Sequence, residues 1–170
     1  ILLEGREHLP DTPKDAIDRG VRVIYQEFNL VPTLSVAENV LFERIPSRGG
    51  VVNRASLRRE AKILLDRVGL DLPLNLPVEK LGIAQKQLVE IAKALSTDSQ
   101  LIVMDEPTAT LTSRKIDRLF RIIRELRDEG RTIIYISHRL EEIFEIGDRV
   151  TVMRNGGVVG TKAISDVDTD

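Results

Sequence analysis

Two adjacent carboxylates, Asp105 and Glu106, follow the apolar run Leu101–Met104 and precede Pro107. An unbroken apolar run of this length is typical of a strand that is buried on both faces, as in a parallel sheet. The two carboxylates would then lie at the carboxyl end of the strand, where open α/β sheets bind their ligands.

Neighbouring carboxylates at a buried sheet edge need a compensating cation. A magnesium nucleotide would supply one, with one carboxylate near Mg²⁺ and the other orienting or deprotonating an attacking water. An exposed acidic turn after a core strand would give the same residues. The acid pair alone leaves both interpretations open.

Three more polar features occur where a predicted strand ends or a helix begins. Gln26 follows the β-rich run Val21–Tyr25, His138 follows Thr132–Ile136, and Leu81–Gln85 opens a helix. Each has a simpler explanation when taken singly: a solvated loop glutamine, a structural histidine or a helix cap. Their fixed order along the chain, together with the acid pair, is far more specific.

Apolar spacing and capping residues predict an α/β fold. Predicted helices begin near Pro13 and Val36 and cover residues 54–68, 83–95, 113–129 and 140–145; predicted strands cover 1–4, 21–25, 101–105, 132–136, 149–153 and 158–161, with a loop at 47–50. The mostly helical middle interrupts the alternation of strands and helices. Residues 1–26 and 97–170 are therefore predicted to form an α/β core, and residues 27–96 an inserted helical subdomain.

Composition excludes several classes of site. The chain has 170 residues, a formal net charge of −2, no cysteine and two histidines. Disulfides, thiolate catalysis, cysteine-ligated zinc and multi-histidine metal sites are therefore excluded. The charge gives no indication of a nucleic-acid partner, and no apolar run approaches the roughly 20 residues of a membrane-spanning helix.

Several segments together carry a family resemblance: Ile24–Glu27 with Asn29–Pro32, Ser35–Asn39, Gln87–Leu95, Met104–Thr112 and Ile134–Glu142. Over its whole length the chain resembles the ATP-binding cassette (ABC) ATPases. Within them it is most similar to the first nucleotide-binding domain of bacterial monosaccharide importers of the ribose and galactose type. The resemblance implies that residues 1–170 are part of a P-loop NTPase-type domain that binds ATP and Mg²⁺.

The resemblance also implies residue roles. Glu106 is expected to be the general base, and His138 the switch histidine that reaches the γ-phosphate. Asp105 resembles the Walker B aspartate and Gln26 the Q-loop glutamine, and both are expected near Mg²⁺. The family's signature falls on Leu81, Gly82, Ile83, Ala84 and Gln85, which would contact ATP on a partner domain, and its D-loop falls on Ala109, Thr110, Leu111 and Thr112.

Three features depart from the family pattern. Gly82 stands where the signature usually has Ser, and Thr112 stands where many members have Asp. A P-loop needs Gly-x-x-x-x-Gly-Lys-Ser/Thr, but none of the 11 glycines is followed by Lys. In the family the P-loop precedes the strand with which this chain begins. The chain is therefore expected to be a piece of the domain, truncated before and after, and inactive by itself.

The expected function is ATP hydrolysis that powers carbohydrate uptake. The expected partners are a second nucleotide-binding domain in a head-to-tail dimer, transmembrane permease subunits and, indirectly, a periplasmic sugar-binding protein. Residues 31–43 and 53–68 are predicted to dock on the permease, at the cytoplasmic face of the inner or plasma membrane.

Two alternatives stay open. A non-transport ABC ATPase would carry coiled coils or basic extensions, and neither is visible. A degenerate scaffold module is favoured by Gly82 and the missing P-loop, and is opposed by Glu106 and His138.

Overall fold

The computed structural model describes residues 2–3 and 5–167. The helices are α1 (Pro13–Asp18), α2 (Val36–Val40), α3 (Arg54–Val68), α4 (Ile83–Ala94), α5 (Ser113–Asp128) and α6 (Leu140–Ile146). The strands are β1 (Leu2–Leu3), β2 (Arg6–Glu7), β3 (Val21–Ile24), β4 (Ser47–Arg48), β5 (Val51–Val52), β6 (Leu101–Asp105), β7 (Thr132–Ile136), β8 (Arg149–Arg154) and β9 (Gly157–Ala163). Single 3₁₀ turns occur at Phe42–Arg44, Val78–Lys80 and Ile164–Asp166.

A parallel sheet of three strands, in the order β3-β6-β7, positions the candidate site. Leu101 pairs with Val21 on one side and with Thr132 on the other, and the β6–β7 register continues to Asp105 opposite Ile136. β-branched and aliphatic side chains dominate these strands and suit a pleated sheet. Because the strands are parallel and in register, the residues that follow them leave at the same edge. This arrangement confirms the predicted α/β class.

Only one face of the sheet is buried. Ile102 and Met104 are fully buried, with α4 packed on β3 and α5 on β7. On the opposite face, Val23 and Ile134 keep 36% and 47% of their surface exposed. The prediction of a strand buried on both faces was therefore wrong for the described residues. The apolar run showed that both faces of β6 are apolar, and it carried no information on what covers each face.

Helices α2, α3 and α4 lie in the segment predicted as a helical subdomain and pack against one another, and their ends follow the predicted signals. Ser35 and Glu38 form a reciprocal capping box at α2. The Asn53 side chain accepts the Ser56 N–H at 3.1 Å and caps α3. α3 ends at Gly69, which has a φ of 71° that glycine adopts without strain. Buried apolar residues from all three helices belong to the same core as the inner face of the sheet.

A buried asparagine fixes the loop that leads into α2. Asn39 is 1% exposed, and its Oδ1 accepts the Val31 N–H at 2.8 Å. Its Nδ2 lies within 3.0–3.2 Å of the carbonyl oxygens of Val31, Leu34 and Ser35. Residues 31–35 form no helix or strand, so this side chain supplies the hydrogen bonds that regular structure would otherwise give.

Two chain segments differ from the sequence prediction. The predicted loop at 47–50 is an antiparallel ribbon in which Ser47 pairs with Val52 and Arg48 with Val51. Gly49 and Gly50 have φ values of 57° and 79° and close it with a turn that such glycine pairs favour. The loop prediction was wrong because strands of two residues have no detectable period.

The predicted strand at 1–4 is a small hairpin rather than an edge of the central sheet. Leu2–Leu3 pairs with Arg6–Glu7 around Gly5. Ile1 and Glu4 lie outside the described residues.

The strands predicted at 149–153 and 158–161 are present near the carboxyl end as β8 and β9. β8 and β9 pair antiparallel around Asn155 and Gly156, both at positive φ, as a type I′ turn requires. Val152, Met153 and Val158 remain mostly exposed on this two-stranded ribbon. Within residues 2–3 and 5–167, no helix is long and apolar enough to span a bilayer.

Candidate functional site

The carboxyl edge of the central sheet brings the predicted catalytic pair into contact. Glu106 follows β6 and His138 follows β7, and Glu106 Oε1 lies 2.9 Å from His138 Nδ1. Asp105 is the last residue of β6, and Gln26 lies two residues beyond β3. Among the described residues, no hydrogen bond or ion pair joins Asp105 or Gln26 to this pair. The fold therefore places four predicted site residues at one edge and pairs two of them.

The backbone at Glu106 produces this pairing. Its φ is 46°, in the left-handed region that residues other than glycine rarely adopt. Its N–H donates to the Ile136 carbonyl at 2.9 Å, which extends the β6–β7 ladder by one step while the chain turns away. Strained backbone of this kind clusters at functional sites. The turn places the Glu106 carboxylate at the end of β7, beside His138.

The protons on the two ring nitrogens of His138 determine which hydrogen bonds this side chain can donate. The His138 side chain is 74% exposed and that of Glu106 is 29% exposed, so an incoming ligand can reach both. A hydrogen bond to the carboxylate requires a proton on Nδ1. The neutral ring then has only a lone pair on Nε2, whereas the imidazolium ion has a donor on both nitrogens. His138 can therefore bond Glu106 and donate to an anion at the same time only as the cation.

The predicted signature forms the amino end of α4, away from this pair. Gly82 is the N-cap, and its N–H donates to Gln85 Oε1 at 3.0 Å. Ile83, the first residue of the helix, is 61% exposed. No hydrogen bond of Leu81–Gln85 within the described chain reaches the sheet edge. Because Gly82 has no hydroxyl group, the backbone N–H is the donor that remains at this position. That N–H is already bonded within the motif.

The predicted D-loop links Glu106 to α5. The Ala109 N–H donates to the Glu106 carbonyl at 3.3 Å, and Ala109 and Thr110 are exposed. Thr112 is the N-cap of α5 but makes no side-chain cap bond. The exposed tip of this loop leaves it open to a neighbouring domain.

Sequence reasoning missed Glu142, a buried acid whose side-chain partners lie in the same two loops as Glu106 and His138. Glu142 lies on α6 and is 4% exposed, and its carboxylate binds side chains from the loops after β6 and β7. One signal was available, since Glu142 precedes Ile146 by four residues and so shares the face of α6 that packs on the core. A charged residue in such a position needs buried partners.

The donor set at the sheet edge fits a magnesium ion bound together with a nucleotide. Mg²⁺ is usually held by one or two carboxylates plus substrate phosphates, and it prefers oxygen ligands. Asp105 and Gln26 offer a carboxylate and an amide oxygen at the same edge. Consistent with such a sparse site, the described residues contain no group of three or more His, Cys, Asp or Glu side chains that would form a metal cage by itself. The sequence offers no Gly-Lys pair to bind the phosphates.

A parallel sheet with an acid pair and a histidine at its carboxyl edge, packed against helices α2–α4, is the arrangement expected of the cassette class of nucleotide-binding proteins. A family model described as ABC transporter matches residues 1–109. The chain belongs to the ABC transporter family.

Curated relatives share about half of the residues. The chain is 46% identical over 171 aligned residues to a putative ribose/galactose/methyl galactoside import ATP-binding protein of Burkholderia lata. It is 53% identical over 156 residues to a ribose import ATP-binding protein of Rubrobacter xylanophilus, and 47% identical over 161 residues to the arabinose import ATP-binding protein of Escherichia coli. The alignments cover 100%, 92% and 95% of the chain. The chain spans about a third of the length of these relatives, or 32%.

Solved structures share the fold. The post-hydrolysis dimer of the ATP-binding cassette MJ0796, bound to ADP and Pi, superposes with a TM-score of 0.82 at 25% identity. The match covers 95% of this chain and 72% of that one. Another dimeric structure of the same bacterial cassette gives a TM-score of 0.78, and the match covers 91% of this chain and 68% of that one. These matches confirm the predicted cassette fold, whereas the roles of individual residues stay predictions.

Proposed function

We propose that this chain contributes the catalytic acid and histidine of an ATPase that powers carbohydrate import through a membrane permease. The observation that carries the proposal is the 2.9 Å contact between Glu106 and His138 at the carboxyl edge of the parallel sheet. The relatives are named as ribose, galactose and arabinose import ATP-binding proteins, which supports the transport role and the sugar class.

In this proposal Glu106 acts as the general base. Its Oε2 has no hydrogen-bond partner within the described residues, and can accept a proton from a water molecule. As that proton moves to Glu106, the water oxygen forms a bond to the γ-phosphorus of ATP and the bond to the β-γ bridging oxygen breaks, so that ADP leaves with the electron pair. Asp105 and Gln26 would hold Mg²⁺, which neutralises charge on the phosphates when bound.

His138 has two exclusive bonding patterns in its neutral form. With the proton on Nδ1 it bonds Glu106, and with the proton on Nε2 it can donate to a phosphate oxygen while the Nδ1 contact is lost. Glu106 is then released to engage the attacking water. The neutral ring therefore allows the histidine to couple arrival of the γ-phosphate to availability of the base.

A head-to-tail dimer would complete the site. The amino end of α4 carries N–H groups and a positive dipole, both suited to a phosphate of the partner's nucleotide. Exposure of Gly82, Ile83 and the Ala109–Thr110 tip leaves the signature and the D-loop open to the second domain.

The permease would dock beside residues 31–43, at the cytoplasmic face of the membrane, with the chain as a peripheral subunit. Here a cavity of about 450 Å³ combines apolar and charged walls, and is lined among others by Lys14, Asp18, Val31, Phe42, Glu43 and Lys93. Phe42 is 46% exposed, and Lys93 lies over its ring at 5.8 Å. An amphipathic helix from the permease would cover Phe42 and meet the surrounding charges.

The catalytic assignment is tested with Glu106→Gln in the protein at the full length that its gene encodes. The substitution keeps the shape of the side chain and removes the base, so ATP turnover should fall by about 10²–10⁴ while ATP binding persists. Glu141→Gln is the matched control, because Glu141 is exposed on α6 and bonds nothing at the site. Turnover of the Glu106→Gln protein at the parental rate would overturn the assignment.

Docking is tested by cysteine cross-linking in the assembled transporter. These 170 residues contain no cysteine, and in a transporter whose remaining cysteines are replaced a single introduced one reports one position. Thr33→Cys should capture a permease subunit because Thr33 is exposed on the docking segment. Asp98→Cys is the control, since Asp98 is exposed at the opposite, amino edge of the sheet. Asn39 also lies on the docking segment, but it is unsuitable because it is buried. Equal capture from both positions, or none from Thr33→Cys, would contradict the docking proposal.

A further inference from the structure

Four side chains converge on the buried carboxylate of Glu142. The Thr108 hydroxyl lies 2.8 and 2.9 Å from its two oxygens. Tyr135 Oη donates to Oε2 at 2.7 Å, and Ser137 Oγ donates to the same oxygen at 3.1 Å. Arg139 Nη1 lies 2.7 Å from Oε1. A buried acid with this many donors is fixed in position rather than merely tolerated.

The other buried acid of the described chain shows the contrast. Glu90 is 7% exposed, and its Oε1 has no hydrogen-bond partner. Around Glu142 both oxygens are bonded, and one partner is a cation. Burial and the bond to Glu142 raise the pKa of Tyr135 far above its usual value, so this hydroxyl stays a donor. Both oxygens of Glu142 therefore have donors, and Tyr135 keeps the hydroxyl proton that it donates.

Three of the four donors come from the two loops that carry the proposed catalytic pair, and the fourth, Tyr135, lies in β7. Thr108 lies two residues after Glu106. Ser137 and Arg139 flank His138 on both sides, and the Arg139 N–H also donates to Ser137 Oγ at 3.0 Å. One carboxylate thus holds the loop after β6 and the loop after β7 at a fixed separation. The contact between Glu106 and His138 spans that same gap.

We propose that Glu142 is a positioning residue that sets the geometry between Glu106 and His138. The role rests on the proposed ATPase function. It lets the imidazole change its hydrogen-bond partner while the backbone of its loop stays in place. The carboxylate touches neither nucleotide nor water in this role, and acts through the loops that it joins.

Kinetics of the full-length protein test the proposal. Glu142→Gln removes the charge that pairs with Arg139 and should lower kcat about ten- to a hundredfold, the size expected from misplacing a catalytic group, with KM for Mg-ATP changed less than about twofold. Thr108→Val removes one hydroxyl at similar shape and should lower kcat in the same way, whereas Thr108→Ser keeps the hydroxyl and should restore it. Glu141→Gln is the control on the same helix.

A double-mutant cycle separates positioning from general damage to the fold. If Glu142 acts by holding the contact of His138, its substitution should cost much less in a His138→Ala background than in the parent. Equal losses of kcat in both backgrounds would overturn the proposal. So would Glu142→Gln or Thr108→Val with the kcat of the control.

The NMR signals of His138 test the positioning role of Glu142 without a measurement of ATP turnover. His138→Ala identifies the imidazole ¹⁵N signals of His138 in the full-length protein, because those signals disappear in that variant. In the parent, His138 should show a protonated, hydrogen-bonded Nδ1, and Glu142→Gln should shift that signal toward an unbonded ring. An unchanged signal would overturn the positioning role even if the protein hydrolyses ATP. If the parent protein lacks ATPase activity but Glu142→Gln still shifts the His138 signal, the result would contradict the proposed function alone.

Discussion

Replacing Asn39 should lower the stability of the fold more than replacing an exposed asparagine does, because the Asn39 amide group holds residues 31–35 in place. Asn39→Ala removes the acceptor of the Val31 N–H and both side-chain donors. The carbonyls of Val31, Leu34 and Ser35 keep other partners, since each also accepts a backbone N–H. The substitution therefore orphans a single group, the Val31 N–H.

The magnitude follows from this count. An unsatisfied buried N–H costs about 1–3 kcal/mol, and each lost hydrogen bond contributes about 1 kcal/mol net. The three carbonyls keep backbone donors, so losing their bonds to Asn39 costs less than the full value per hydrogen bond. Together with the unsatisfied Val31 N–H, Asn39→Ala should lower the free energy of unfolding by about 3 kcal/mol. Asn39→Asp keeps an acceptor for Val31 but turns an oxygen toward three carbonyl oxygens. It should cost at least as much as Asn39→Ala.

Urea unfolding followed by circular dichroism measures both variants. Asn75→Ala is the control, because Asn75 is exposed and its side chain forms no hydrogen bond among the described residues. It should change the free energy of unfolding by less than about 0.5 kcal/mol. A loss below about 1 kcal/mol for Asn39→Ala would refute the reasoning, and so would an Asn39→Asp protein as stable as the parent.

Two further substitutions test electrostatics and capping. Burial raises the pKa of Glu90, so folding favours the protonated acid, and its penalty grows as pH rises above the unfolded pKa. Glu90→Gln should therefore raise the free energy of unfolding at pH 7 by about 1–2 kcal/mol and leave it unchanged at pH 3; equal gains in urea titrations at both pH values would contradict this. Gly82→Ser places a hydroxyl at the N-cap of α4, where a Cβ finds its nearest atom at 3.7 Å, and should raise stability by about 0.3 kcal/mol; a lower melting temperature in calorimetry would count against it.

Local signals predicted the features whose causes are local. Ser35 and Asn53 lie within three residues of the N–H groups that they cap, and the Asn155-Gly156 turn needs only its own backbone. Asp105 and Glu106 were placed correctly because the end of a parallel strand is also the edge of its sheet.

Features that depend on distant segments were not predictable in this way. The partners of Glu142 come from β7 and from loops up to 34 residues away, and no spacing along the chain shows that they converge. The exposure of Val23 and Ile134 likewise depends on what lies over the sheet. The burial of Asn39, which lies within the predicted docking segment 31–43, was not predictable either, because its hydrogen bonds reach backward to a loop without periodicity.

The left-handed backbone at Glu106 has a consequence for how this position can vary. Glycine would adopt a φ of 46° freely, and asparagine adopts it more readily than glutamate does. The backbone conformation at position 106 therefore favours glycine or asparagine, whereas the proposed reaction requires glutamate. Under the proposed function, a substitution that relaxes the backbone also removes the general base, so stability and activity would oppose each other at this position. The proposal therefore predicts that Glu106→Gly and Glu106→Asn raise the stability of the fold while they abolish ATP turnover.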